Sequence, residues 1–121
     1  LESVASQAKS LGLGNLSTKR ANLEKPGGST LLAESVDWVV LKDMLFQNQD
    51  KSVILAEAAR VLRPGGFLFV MEWHPEAASV GPESGLRIKP AALQELLSQE
   101  GFSVEREVPV GAFHYAFLAK K

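Results

Sequence analysis

The chain has 121 residues, 45% hydrophobic and 22% charged, which suits a soluble globular domain with one buried core. Thirteen Lys and Arg against fourteen Asp and Glu leave a net charge of −1, so nothing argues electrostatically for nucleic acid or an anionic membrane surface. Cysteine is absent, which excludes disulfides, thiolate metal sites and cysteine nucleophiles and fits a reducing cytoplasm.

In chain order, Leu1, Val4, Ala5, Ala8 and Leu11 are spaced for a helix that Gly12 and Gly14 end. Asn15 to Ala21 is expected as a short strand, with Leu16, Thr18 and Arg20 alternating against Ser17 and Lys19. Asn15-Leu16-Ser17 matches a glycosylation sequon, read as chance because no secretory signal opens the chain. Pro26-Gly27-Gly28 marks a loop. Ser35 to Leu41 carries a nearly continuous apolar run, which suits a parallel strand buried on both faces. Asp50 stands where a helix N-cap belongs, before the apolar stripe Val53, Ile54, Ala58, Val61 and Leu62. Pro64-Gly65-Gly66 is expected to end that helix, and Phe67 to Trp73 forms a second buried strand. Pro75 to Lys89 reads as a long loop. Pro90 opens a helix with Leu93, Leu96 and Leu97 on its apolar face, ended by Gly101. Phe102 to Val108 and Ala112 to Ala119, turned at Gly111, make an antiparallel hairpin. No apolar run approaches the roughly 18 residues that span a bilayer. The order α-β-β-α-β-α-β-β predicts one α/β layered domain over residues 1–121.

Four stretches narrow this further. Arg60-Val61-Leu62-Arg63-Pro64-Gly65-Gly66 leads into the strand Phe67 to Glu72, Ser35-Val36-Asp37-Trp38-Val39 lies upstream, and Gly101-Phe102-Ser103-Val104 lies downstream. Together they resemble the C-terminal two-thirds of class I S-adenosylmethionine-dependent methyltransferases, nearest the type 11 branch that acts on small molecules and quinones. The resemblance implies a Rossmann-like sheet, mostly parallel with a C-terminal antiparallel hairpin. It also implies methyl transfer from S-adenosylmethionine to an unidentified small-molecule acceptor. The family's Gly-x-Gly-x-Gly loop and its ribose-binding acidic residue have no counterpart here. Gly12-x-Gly14 follows a helix and terminates it, so it is no substitute. The N-terminal strands of the fold are therefore expected to be missing, and Leu1 in place of Met points to an upstream start or a removed tag. Two functions stay open: a methyltransferase, as a fragment or shortened relative, and a non-catalytic binding or dimerisation module that has lost the cofactor. A nicotinamide dehydrogenase half would not explain the terminal hairpin.

By the resemblance, cofactor contacts fall on Asn22 and Leu23, where an amide oxygen stands in for the family's acidic residue, and on Leu41, Lys42, Asp43 and Phe46. Methyl transfer is an in-line displacement that needs alignment, exclusion of water and sometimes removal of a proton. Glu72 and His74 are the candidate catalytic bases or anchors, and Gln47 and Trp73 the candidate substrate contacts. A structural alternative stands beside each. Glu72 would bond the loop, Trp73 would sit in the core, Phe46 and Gln47 would staple a helix, and Lys42 would simply pair with Asp43. His114 is expected to be structural, Arg60 and Arg63 to pair near a helix end, and Asp37 to fix the start of its strand. Two His 40 positions apart, without Cys, predict no metal site. If the chain starts at Leu1, the strand Ser35 to Leu41 becomes a sheet edge, and self-association through it is expected.

Overall fold

The structure, a computed structural model, describes residues 1–47, 50–76 and 81–121. The side chains of Gln47 and Ser84 lie outside the described set, and so does part of the expected loop Pro75 to Lys89. The elements are α1 (Glu2–Ser10), β1 (Val36–Lys42), a 3-10 turn (Leu45–Gln47), α2 (Lys51–Val61), β2 (Leu62–Trp73), a second 3-10 turn (Ser84–Leu86), α3 (Pro90–Gln99), β3 (Ser103–Val108) and β4 (His114–Lys120). The strands form one sheet in the order β1-β2-β4-β3. β1 runs parallel to β2, with Trp38 opposite Phe67 and Val40 opposite Phe69. β4 is antiparallel to both β2 and β3. The expected β-α-β unit and terminal hairpin are thus both present, in a Rossmann-like mixed α/β sheet.

Alternation along the strands decides which face is covered. Val39 and Leu41, Leu68 and Val70, and Phe117 and Ala119 pack with Ile54, Leu55 and Ala58 of α2 and Leu93 and Leu97 of α3. Each fully buried Leu or Ile in this layer contributes about 1.5–3 kcal/mol. The opposite face carries Phe67, Phe69, Met71 and Leu118, all partly exposed. Asp50 precedes α2 as expected, yet its carboxylate accepts from the Ser52 hydroxyl at 3.0 Å rather than from a helix amide.

The Pro-Gly-Gly segment does not stop α2. The helix ends at Val61, and Leu62 already pairs with Val36. The next β1–β2 pair is Trp38 with Phe67, so Arg63 to Gly66 bulge out of the ladder. Gly65 has φ +80, and a Cβ on Gly66 would lie 2.9 Å from the Arg63 carbonyl oxygen and 3.0 Å from that of Asp37. Arg63 pairs with Asp37 at 2.6 Å across the bulge, on the exposed surface.

Two expectations fail. Asn15 to Ala21 forms no strand; these residues are exposed and irregular. Their alternation holds little apolar surface to bury, and no described strand offers them a ladder. Further on, the loop is tied to α2 by Glu57, which is 4% exposed. Its carboxylate accepts from the amides of Gly27 (3.2 Å) and Ser29 (3.0 Å) and pairs with Arg60 at 2.7 Å. Arg60 also donates to the Leu31 carbonyl at 2.7 Å. The Arg60 guanidinium, helped by the Ser29 donors, holds the Glu57 carboxyl down at about 2 against its own burial. The second failure is the burial of β1. Trp38 and Val40 are 55% and 64% exposed, because β1 is the sheet edge and its second face is uncovered. The stripe on α1 is uncovered too, with Ala8 its one buried residue.

Candidate functional site

The carboxyl ends of β1 and β2 lie side by side, with the β3–β4 hairpin loop at the same edge. Open α/β sheets take ligands at this edge. Asp43, one residue past β1, adopts a left-handed conformation (φ 54) that Asp tolerates better than most residues. Its amide donates to the Met71 carbonyl at 2.9 Å and so holds it against β2. Its carboxylate lies between Lys42 Nζ at 2.9 Å and His114 Nε2 at 3.1 Å. The expected Lys42–Asp43 pair is present. His114 joins it because β4 sets His114 opposite Trp73, with the two rings 4.2 Å apart.

Glu72 is completely buried. Its two carboxylate oxygens accept from the backbone amides of Leu45 (3.2 Å) and Phe46 (3.1 Å). Burial pushes its pKa up from 4.5 to about 7, with the neighbouring charge of Asp43 adding to the rise and the turn amides opposing it. Glu72 therefore anchors the turn after β1, the structural alternative weighed for it. Beside it, Tyr115 donates to the Ile88 carbonyl at 2.6 Å, and burial pushes its phenol up strongly.

His74 is held on three sides. Its amide donates to the Phe113 carbonyl at 2.8 Å, its Nδ1 accepts from the Glu76 amide at 3.2 Å, and its ring meets Tyr115 edge-on. Arg87 donates to the carbonyls of His74 (2.8 Å) and Pro82 (2.9 Å) and places its guanidinium 5.7 Å from the Trp73 ring centre. A cavity of about 240 Å³ opens here, lined by His74, Glu107, His114 and Tyr115 with the hairpin loop. A second hollow of about 300 Å³ lies at the β1 edge and is almost wholly apolar, lined among others by Leu23, Val39, Leu41 and Met44.

The structure thus gathers Lys42, Asp43, Phe46, Glu72, Trp73 and His74 at one edge. Leu23 and Leu41 meet instead in the apolar hollow. Asn22 is exposed, and its side-chain oxygen accepts from the Glu24 amide at 3.0 Å in a turn of its own. Gln47 lies in the 3-10 turn, with its side chain outside the described residues. His114, expected to be structural, stands against Asp43 and lines the cavity, and Arg87 is an addition that the sequence did not single out. Neither a lone His in a strand nor an Arg in a loop carries a local signal. Among the described residues no group of three or more His, Cys, Asp or Glu could hold a metal ion. No described helix is long and apolar enough to cross a membrane.

A parallel pair joined through a helix, closed by an antiparallel hairpin, defines the Rossmann-like fold of the class I methyltransferases. The family model described as "Methyltransferase domain" matches residues 1–70, more than half of the 121. The chain belongs to that family. Among solved structures, a SAM-dependent methyltransferase from Aquifex aeolicus matches with a TM-score of 0.86 at 22% identity, over 98% of this chain and 62% of its own. The [4+2]-cyclase SpnF matches with a TM-score of 0.79 at 19% identity, over 97% of this chain and 60% of its own. The trans-methyltransferase CalH, in complex with SAH, matches with a TM-score of 0.79 at 21% identity, over 97% of this chain and 39% of its own. The chain therefore spans about three-fifths or less of these proteins. No curated protein matches it significantly in sequence.

Proposed function

We propose that the protein transfers a methyl group from S-adenosylmethionine to a small-molecule acceptor at the carboxyl edge of β1 and β2. The supporting observation is the convergence there of Asp43, His114, Glu72 and His74, from segments far apart in the chain, beside a cavity. The residues present fit one side of the cofactor. Lys42, Asp43 and Phe46 offer charge and an aromatic wall at the strand ends, whereas Asn22 spends its amide oxygen on a local turn. When bound, the cofactor supplies an electrophilic methyl on a sulfonium. Around it, Glu72 positions the Leu45–Phe46 turn, Trp73 walls the acceptor side, and His74 anchors the acceptor.

The test is calorimetric titration of the gene-encoded protein, including any residues before Leu1, with S-adenosylhomocysteine, followed by transfer of labelled methyl to candidate acceptors. Binding that Asp43→Ala weakens supports the reading; absence of binding removes it. The competing reading is a non-catalytic dimerisation module, favoured by one observation: Trp38 and Val40 stand exposed on a free strand edge. In that case the protein self-associates through β1 and binds no cofactor, and light scattering beside the titration separates the two.

A further inference from the structure

The cavity beside the hairpin loop holds two imidazoles whose free nitrogens are set in opposite senses by their neighbours. His74 Nδ1 accepts the Glu76 amide hydrogen, so in the neutral ring the proton sits on Nε2. That leaves His74 with a free N–H donor. His114 Nε2 lies 3.1 Å from one Asp43 oxygen and 3.3 Å from the other, and donates to that carboxylate. His114 is therefore left with a free lone pair on Nδ1, on a ring whose tilt is fixed by Trp73 at 4.2 Å. Both residues line the same cavity of about 240 Å³. Tyr115 also lines it, but its hydroxyl is committed to the Ile88 carbonyl. Among the described lining residues Glu107 is the one with a full charge, and the Asp43 carboxylate behind His114 is already paired with Lys42, so no lining cation favours an anionic occupant.

We propose that this cavity is the acceptor subsite, that it takes a neutral molecule bearing a hydroxyl and a second oxygen, and that His114 receives the hydroxyl proton. In the transfer step the hydroxyl oxygen would bond to the methyl carbon and the donor sulfur would keep the pair of the broken C–S bond, while the O–H proton goes to His114 Nδ1 and the Asp43 carboxylate stabilises the imidazolium; without a methyl donor the hydroxyl only donates a hydrogen bond to Nδ1. The second oxygen accepts from His74 Nε2–H. The methyl-transfer reading is needed only for calling the occupant the acceptor; the binding chemistry stands without it.

The experiment uses the gene-encoded protein labelled with nitrogen-15 in its His side chains, without cofactor, titrated with 2-methoxyphenol and separately with 1,2-dimethoxybenzene. The first compound has a hydroxyl to donate and the second has none. The expected result is a saturable change at His114 Nδ1 and His74 Nε2 with 2-methoxyphenol. The dimethoxy compound should bind about tenfold more weakly, the equivalent of one lost hydrogen bond. His114→Phe should reduce 2-methoxyphenol to the affinity of the dimethoxy compound and leave the latter unchanged. Equal affinities on the unaltered protein, silent imidazoles, or a proton found on His114 Nδ1 in the free neutral protein would overturn the proposal. If His114→Phe also loses the dimethoxy compound, the variant is misfolded, and the pair of ligands on the unaltered protein decides. Binding without any methyl transfer would leave this subsite standing and remove only the methyl-transfer reading.

Discussion

Replacing Glu72 by Gln isolates the single buried carboxyl on which the turn after β1 depends. Its pKa stands at about 7 in the folded chain against 4.5 ordinarily, chiefly because burial disfavours the charge. The folded state therefore holds the proton more tightly than the unfolded state does. The resulting stability is fully present below pH 4.5 and is lost as pH rises through 7. Carrying a carboxyl from 4.5 to about 7 corresponds to an upper figure of about 3 kcal/mol between pH 4.5 and pH 8. The Gln variant cannot ionise, so this component of the pH dependence vanishes in it. It keeps one acceptor oxygen for the Leu45 and Phe46 amides, at a cost of about 1 kcal/mol for the exchanged hydrogen bond. Urea denaturation of both proteins at pH 5, 6, 7 and 8 gives the comparison. The wild type should lose at most about 2.5 kcal/mol relative to the variant across that range, and the variant should be the more stable at pH 8. Parallel curves, or a wild type that gains on the variant as pH rises, would show that Glu72 is not a buried, protonatable anchor.

Three further outcomes follow from other parts of the structure. Glu57→Gln removes a carboxyl held at about 2 by Arg60, whose stability contribution exists above pH 4.5 and disappears as pH falls toward 2. Denaturation from pH 5 down to pH 2 should show that acid-side loss in the wild type only, with the variant the less stable of the two at pH 6 because Arg60 loses its charged partner. Gly66→Ala pushes a methyl against the Arg63 and Asp37 carbonyl oxygens, and thermal unfolding should show a loss of about 1–3 kcal/mol, with β1 the first strand to exchange its amides. Trp38→Lys places a charge on the free edge, and any concentration-dependent scattering of the wild type should disappear in it.

What could be read before the structure was whatever local chemistry dictates. Ser35 to Leu41 and Phe67 to Trp73 are apolar runs with a helix between them, and the parallel pairing follows from that arrangement. Gly101 and Gly111 punctuate the last helix and hairpin where expected. Asn15 to Ala21 misled because alternation alone does not make a strand; a strand exists only with a partner, and pairing is not encoded in the segment itself. Pro64-Gly65-Gly66 misled in a smaller way, since a helix stop and a bulge need the same residues. The Asp43–His114 contact spans 71 positions and depends on the register of β4 against β2, so no spacing in the chain announces it. Glu72 was legible as a candidate, but its role turned on direction. Strand alternation sends its carboxylate beneath the turn, to the Leu45 and Phe46 amides.

The most direct trial of the account is backbone-amide NMR of the gene-encoded protein as S-adenosylhomocysteine is added. Ligand at the carboxyl edge should shift the amides of Lys42, Asp43 and Phe46 first, and then Trp73 and His74, with the amino ends of β1 and β2 undisturbed. Shifts confined to the Val36 and Leu62 end of the sheet, or none at saturating ligand, would contradict it.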